Sequence, residues 1–492
     1  MLGRKTFLSL LSLLFIRFAQ GIILIIAVKN FLTVEFGYVT AAQSLLAFFL
    51  FFSDLNLSTA HLKLMAEQKE KSVAFSTYFY LKIFLMIVSS ITFIFIIIIS
   101  LNLNIVTNNI SQISIIIVVF FDRMVISMLM VYYYSFQATL KIAKKEMSTI
   151  IGQIIGLIFG LISILVLHNF ILYLLNTTIS NLFSLALCIY YGREFKLSKI
   201  NKALLIRYLK LDVIFVLPFF LNVLITNLGP LIFLQQYNAD LLGVYNVIAN
   251  FFLMILGIQQ VFRSLLIPNY SVLIQNEKYD VIKKSIDLFE KYMAILNGII
   301  IVFGILFGDY FLRILFGQVY LDYGWFLYLG YLISLISFSI LGPFTPLIVA
   351  SEKFKVYTIN LFISLVFAII SWIFFIPLID IVGINIGTWI STIPQAIFIR
   401  YFCFRYFKFG KMSLKYGLNL LVISGMILIS LFLYTFHFLF FIRIIFALVL
   451  IAAYLVFLII TKLFTKKDFR YILSVINPKE MIDYIREETI NS

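Results

Sequence analysis

Apolar runs of about twenty residues, separated by short polar clusters, recur along the whole chain. A run of about 20 apolar residues in a helix crosses the ~30 Å hydrocarbon core of a bilayer. The pattern predicts about fourteen spanning helices, at 6–31, 39–60, 76–100, 112–136, 148–167, 171–191, 209–234, 242–266, 291–310, 325–350, 357–379, 384–403, 416–436 and 440–462. The fold class expected is all-α integral membrane. At the amino terminus, Arg4 and Lys5 before Phe7–Ile16 imitate a secretory signal, but Arg17 interrupts the run and Gly21–Val28 resumes it. A retained first helix is the expectation.

Charge then orients the helices. The connections His61–Phe75, Gln137–Met147, Gly192–Lys210, Asn269–Lys291, Ser351–Val356 and Arg400–Lys415, with Arg4, Lys5 and the tail from Lys462, hold 31 of the 38 Lys and Arg. The alternate connections are short and contain one basic residue, Arg313. Basic loops stay on the cytoplasmic side, so the chain is expected to be multi-pass with both termini cytoplasmic. Tyr279–Met293 reads equally as an interfacial helix or as a charged extension of the ninth span, because Ile282, Ile286 and Phe289 share one face.

Composition agrees. The 492 residues are 63% hydrophobic and 12% charged, with mean hydropathy +1.08. A soluble chain carries about twice that charged fraction. The net charge of +16 would suggest nucleic acid in a soluble protein; here membrane orientation accounts for it, and no nucleic-acid partner is expected. Cys188 and Cys403 lie in apolar segments, and His61, His168 and His437 are far apart and expected at helix ends. No metal-ligand spacing, phosphate-cradling loop or nucleophile motif is present, so neither an enzyme nor a cofactor is expected.

A weak internal repeat is visible. Val34-Glu35-Phe36-Gly37-Tyr38-Val39-Thr40 and Asp240-Leu241-Leu242-Gly243-Val244-Tyr245-Asn246 each put a glycine and an aromatic where a new span begins. Six spans separate them, which suits a parallel repeat.

Ionisable side chains within spans are costly and usually face a wet interior. Arg17 is near the middle of the first span, Asp54 lies in the second, and Asp122 and Arg123 are adjacent in the fourth. Arg17 and Arg123 are too deep to reach either interface easily, so both are expected to line a cavity. Asp54 and Asp122 are candidates for an ion pair or coupling group, with Arg17 as one partner for Asp54. Lys82, Asp212 and Arg263 lie close enough to the cytoplasmic boundary to snorkel; Lys82 and Arg263 are also secondary substrate-binding candidates. Lys29 and Arg443 are expected to snorkel outward. Pro218, Gly229-Pro230, Gly342-Pro343, Pro346, Pro377 and Pro394 interrupt the spans, and can serve bending or static packing equally.

Several segments resemble the polysaccharide-transporter branch of the multidrug/oligosaccharidyl-lipid/polysaccharide exporter superfamily, in particular bacterial O-antigen (Wzx-type) flippases. They are Phe36-Gly37-Tyr38, Ser53-Asp54-Leu55-Asn56-Leu57-Ser58, Leu315-Phe316-Gly317 with Tyr320, and Gly383-Ile384-Asn385-Ile386-Gly387. The resemblance covers about the first 400 residues. Where the family pattern has glycine after Asp-Leu, this chain has Asn56.

The resemblance implies two six-helix bundles in a V around a central cavity, divided here as 1–207 and 208–410, with helices 13 and 14 appended at 411–462 and a tail at 463–492. It implies a flippase of the bacterial inner membrane that moves an isoprenoid-pyrophosphate-linked oligosaccharide to the outer leaflet by alternating access. Arg17 and Arg123 would receive the pyrophosphate. Implied partners are the lipid-linked oligosaccharide, membrane lipids, a polysaccharide polymerase and a chain-length regulator. The alternatives are an exporter of lipid II, a teichoic-acid precursor or a drug, and a membrane glycosyltransferase or polymerase. Paired mid-span arginines argue against a cation exporter, and short outer loops argue against the enzymes.

Overall fold

The computed structural model describes residues 2–67, 70–102, 110–236, 239–408, 414–436 and 438–463. Among them it has sixteen helices and fourteen candidate spans. Two spans are broken in two. The second consists of α2 (Thr33–Asp54) and α3 (Leu57–Glu67), and the tenth of α11 (Gln318–Leu341) and the short α12 (Phe344–Ala350) beyond Gly342-Pro343. By contrast α8 (Lys202–Gln236) continues through Pro218 and Pro230. His437 and the tail at 464–492 lie outside the described residues.

Large apolar side chains remain exposed along the spans, including Val213 and Leu217 on α8 and Phe441, Leu448 and Ile460 on α16 (Phe440–Ile460). In water such surface would drive association; in hydrocarbon it is the solvated face.

The chain divides into two compact units within α9 (Ala239–Gln275), one ending at Val247 and the other beginning at Ile248. In the first, α1 (Leu2–Asn30) packs on α6 (Ile142–Leu165), and α6 forms a tight hairpin with α7 (Phe170–Tyr191). Gly152, Gly156 and Gly160 face Ser184, Ser180 and Asn176 one turn at a time. A Cβ on Gly152 would lie 2.4 Å from the Ser180 carbonyl oxygen. Lipid supplies no hydrophobic drive between helices, so small residues in register let dispersion and backbone approach hold the pair.

The same device appears where the repeated motifs meet. A Cβ on Gly37 would lie 1.9 Å from the Ala239 carbonyl oxygen, and a Cβ on Gly243 1.9 Å from that of Thr33. Thr33 donates to Asp240 at 2.8 Å, and Asn246 donates to Thr40 at 2.6 Å. The two repeat copies therefore cross at reciprocal positions. Glycine is required here because two backbones touch.

In the second unit, α10 (Tyr279–Leu315) is one helix of 37 residues, about 55 Å long at 1.5 Å per residue. Tyr279–Met293 is thus a projecting extension of the ninth span. Its Ile282, Ile286 and Phe289 are buried, and Lys283, Lys284 and Asp287 are exposed. Gly317, at φ +101°, ends the helix by donating back to Leu312 and Arg313. That explains one of the family-like motifs as a helix stop. Close against α10 run α15 (Leu414–Thr435) and α16, and α13 (Phe354–Ile379) pairs with α14 (Val382–Phe407).

Arg443 does not snorkel. It is buried on α16 and donates at 2.8 Å to both carboxylate oxygens of Asp309 on α10, and to the Leu306 carbonyl at 3.0 Å. The rings of Tyr310 and Tyr434 lie 4.9 and 5.4 Å from its guanidinium. A partner on the neighbouring helix makes an excursion to the interface unnecessary. Asp309 is 18% exposed, so Arg443→Met is expected to cost about 2 kcal/mol, less than the ~3–5 kcal/mol of a fully buried pair. Faster proteolysis between α15 and α16 is the readout, with Asp309→Asn giving a smaller effect.

Candidate functional site

The first unit contains a polar centre built around the break between α2 and α3. Helix α2 ends at Asp54 because Leu55 (φ 47°) and Asn56 (φ 70°) are both left-handed. Glycine enters this region freely and asparagine tolerates it, whereas leucine is strained there. Asn56 therefore takes over the conformational duty of the glycine usual at that place. It also starts α3, accepting from the Thr59 hydroxyl at 2.9 Å through its side chain and from the Thr59 amide at 3.0 Å through its carbonyl.

The break turns Asp54 into a pocket of hydroxyls and one cation. Lys82 of α4 (Lys71–Asn102), only 2% exposed, forms an ion pair with Asp54 Oδ1. Ser58 donates to Asp54 Oδ2 at 2.7 Å, and the Tyr78 hydroxyl lies 3.4 Å from Oδ1. One turn further, buried His61 bonds through Nδ1 to the Tyr208 hydroxyl at 2.7 Å and through Nε2 to the Ser135 hydroxyl at 2.9 Å. Its ring stacks on Tyr78 with centroids 4.2 Å apart. Ser135 belongs to α5 (Ile110–Ala138), and Tyr208 to α8. Asp212, one turn beyond Tyr208 on α8, is 4% exposed and interacts electrostatically with Asp54; its Oδ1 is buried without a hydrogen-bond partner.

The structure thus gives Asp54 to Lys82 and not to Arg17. Lys82 has its stem and head inside the bundle, so snorkelling does not describe it. Asp212 is likewise buried. His61 sits in the middle of α3, not at a helix end, because two hydroxyls satisfy both ring nitrogens. Arg17, half-buried, makes one long hydrogen bond, to Gln20 at 3.4 Å. Asp122 is buried and accepts from Asn181 of α7 at 2.9 Å. Its neighbour Arg123 is half-buried, and its Nε is a buried donor with no partner. No hydrogen bond or ion pair among the described residues joins Arg17, Arg123 and Asp54. The side chain of Arg263 lies outside the described residues.

Sequence reasoning missed the network of His61, Tyr78, Ser135 and Tyr208. A signal existed: Tyr78 and Lys82, and Tyr208 and Asp212, are four apart, so each pair shares a helix face. It also missed the buried pair of Glu290 and Arg400 in the second unit. Cys188 and Cys403 are buried and free. The described residues contain no cluster of His, Cys, Asp and Glu able to hold a metal ion.

No curated protein matches the chain in sequence. Solved structures match its fold. The lipid II flippase MurJ, in an inward closed conformation, superposes with a TM-score of 0.70 at 15% identity, covering 92% of this chain and 98% of its own. The Vibrio cholerae MATE transporter VcmN gives 0.58 at 13% identity, covering 82% and 97%. A transporter of the multidrug/oligosaccharidyl-lipid/polysaccharide (MOP) superfamily from Pyrococcus furiosus gives 0.55 at 15% identity, covering 86% and 94%. At such identities the likeness is one of fold. The family described as polysaccharide biosynthesis protein matches residues 2–273, more than half of the sequence. The chain is a member of the polysaccharide biosynthesis protein family, folded as the MurJ and MATE transporters are.

Proposed function

We propose that this protein is a flippase that carries an isoprenoid-pyrophosphate-linked oligosaccharide, such as an O-antigen repeat unit, from the cytoplasmic to the outer leaflet of a bacterial inner membrane by alternating access. Family membership and the transporter fold support the class of activity. The observation that carries the substrate chemistry is the pair of under-bonded arginines. Arg17 has a single hydrogen bond of 3.4 Å within its own helix, and Arg123 retains a buried Nε donor without a partner. A guanidinium in a low-dielectric span keeps its donors unfilled only at a cost. A pyrophosphate offers oxygens that accept from it in bidentate geometry. Outward movement of that anion is also favoured by an inside-negative potential, by about 2.3 kcal/mol per charge per 100 mV.

Export complementation tests the reading. Arg17→Ala and Arg123→Ala are expected to reach the membrane at normal levels and lose about tenfold or more in export, the equivalent of one charged hydrogen bond. Arg17→Lys keeps partial activity as a point charge. Undiminished export by both alanine variants would remove the pyrophosphate assignment. Assays with lipid II and with an O-antigen precursor in parallel separate the two lipid-linked substrates.

A further inference from the structure

The family-like motif Gly383-Ile384-Asn385-Ile386-Gly387 opens α14 in the second unit. Its two glycines are packing positions. A Cβ on Gly383 would lie 2.5 Å from the Ile376 backbone nitrogen, and one on Gly387 2.5 Å from the Trp372 ring. Both therefore face α13. Asn385, midway between them, faces α11 instead, where Gly330 makes room for it. A Cβ on Gly330 would lie 2.5 Å from Asn385 Oδ1. Asn385 is 6% exposed, and its Oδ1 has no hydrogen-bond partner. The amide also lines a groove of about 590 Å³ between α11 and α14, within the ~300–1,000 Å³ usual for a site that holds a small molecule.

Most of the groove wall is apolar, with Phe326, Leu329 and Ile333 from α11 and Ile386 and Trp389 from α14. The large apolar residues beside it, Phe326 and Leu378, are 69% and 74% exposed, so the groove continues a surface suited to hydrocarbon. Chains, not water, fill such a space in a bilayer. Its polar lining consists of Asn385 and the exposed Asp380, in the turn between α13 and α14. No basic residue lines it, and connection 380–383 belongs to the set nearly free of Lys and Arg. The unfilled groups are thus acceptors, one of them a carboxylate. They call for a ligand whose polar end brings N–H donors and a positive charge. We propose that the groove binds a phospholipid with a primary ammonium head group, a phosphatidylethanolamine of the adjoining leaflet. One acyl chain lies between α11 and α14, and the ammonium meets Asp380 and the Asn385 amide. Binding of a bilayer lipid here does not depend on the flippase reading.

The test uses the purified, delipidated full chain in detergent, without any lipid-linked sugar. Short-chain phosphatidylethanolamine, phosphatidylcholine and phosphatidylglycerol are titrated in, while melting temperature and lipid retained in native mass spectra are followed. Phosphatidylethanolamine is expected to raise the melting temperature by about 2 °C or more, saturably, with a single lipid retained. Phosphatidylcholine has the charge without N–H donors, and phosphatidylglycerol has hydroxyl donors without the charge. Each is expected to need about tenfold more lipid for the same shift, the equivalent of one charged hydrogen bond. Asp380→Asn should erase the preference over phosphatidylglycerol. Gly330→Leu and Ile386→Trp fill the groove from opposite helices, and each should abolish the saturable response, so a folding defect in one leaves the other informative. Equal responses to the three lipids, no response to any, or a response that survives in both filled variants would overturn the site. So would tighter binding of a polyprenyl phosphate, whose anionic head group Asp380 should repel.

Discussion

Lys82→Met is expected to be strongly damaging to the first unit, costing about 2–3 kcal/mol of stability, below the ~3–5 kcal/mol of a fully buried pair because Asp54 is 15% exposed. The methionine fills the space of the lysine stem, so packing changes little. What changes is electrostatic. Asp54 is left with Ser58 and the distant Tyr78 hydroxyl, in a pocket with little access to water, and Asp212 adds a second negative charge nearby. The reverse variant should be milder. In Asp54→Asn the lysine loses the carboxylate, but the Oδ1 of an asparagine in its place still offers an acceptor. Combining the two removes the lone charge, and Lys82→Met/Asp54→Asn should recover most of the loss. The measurement is a double-mutant cycle on unfolding of the detergent-solubilised protein, with membrane levels followed in cells. Additive losses would mean that Lys82 acts through packing alone and that the pair carries no energetic coupling.

Gly37→Leu is expected to cost about 3 kcal/mol, at the upper end for inserting a side chain into filled space, and to abolish export. The obstruction is backbone, since a Cβ at Gly37 would meet the Ala239 carbonyl oxygen at 1.9 Å. No side chain can rotate away to make room. The helices must separate, and the bonds from Thr33 to Asp240 and from Asn246 to Thr40 go with them. Reciprocity gives a sharper expectation. The same separation relieves the clash at Gly243, which faces the Thr33 carbonyl oxygen at 1.9 Å. Gly37→Ala/Gly243→Ala should therefore cost scarcely more than either single change. Full additivity would show that α2 and α9 adjust independently at the two positions. A double-alanine variant as stable as wild type would remove the requirement for glycine altogether.

The second motif copy is legible in the sequence, because a glycine beside an aromatic recurs six spans apart. That the two copies cross each other is not legible there. Repeats in sequence specify equivalent positions, and two equivalent positions can be near or far. The stripe Gly152, Gly156 and Gly160 is similar. Its spacing of four is plain in the sequence, yet only the packing of α7 identifies Ser180 and Ser184 as what the glycines accommodate.

Number and approximate position of the spans follow from the sequence alone, since a bilayer imposes one length and one polarity on every helix that crosses it. The sequence also marks which charges lie within spans: Arg17, Asp54, Asp122 and Arg123, with Lys82 and Arg443 nearer the ends. It does not say how each charge is met. Helical periodicity fixes which residues share a face, but which faces meet is a property of the assembled bundle. Snorkelling is the reasonable expectation for Lys82 and Arg443 when depth is the only coordinate; tertiary packing supplies the others, bringing Asp54 to one and Asp309 to the other. It likewise leaves the Nε of Arg123 and the Oδ1 of Asp212 without partners. Local sequence places a charge in the membrane, and neighbouring helices decide whether it becomes a structural pair or stays available to a ligand.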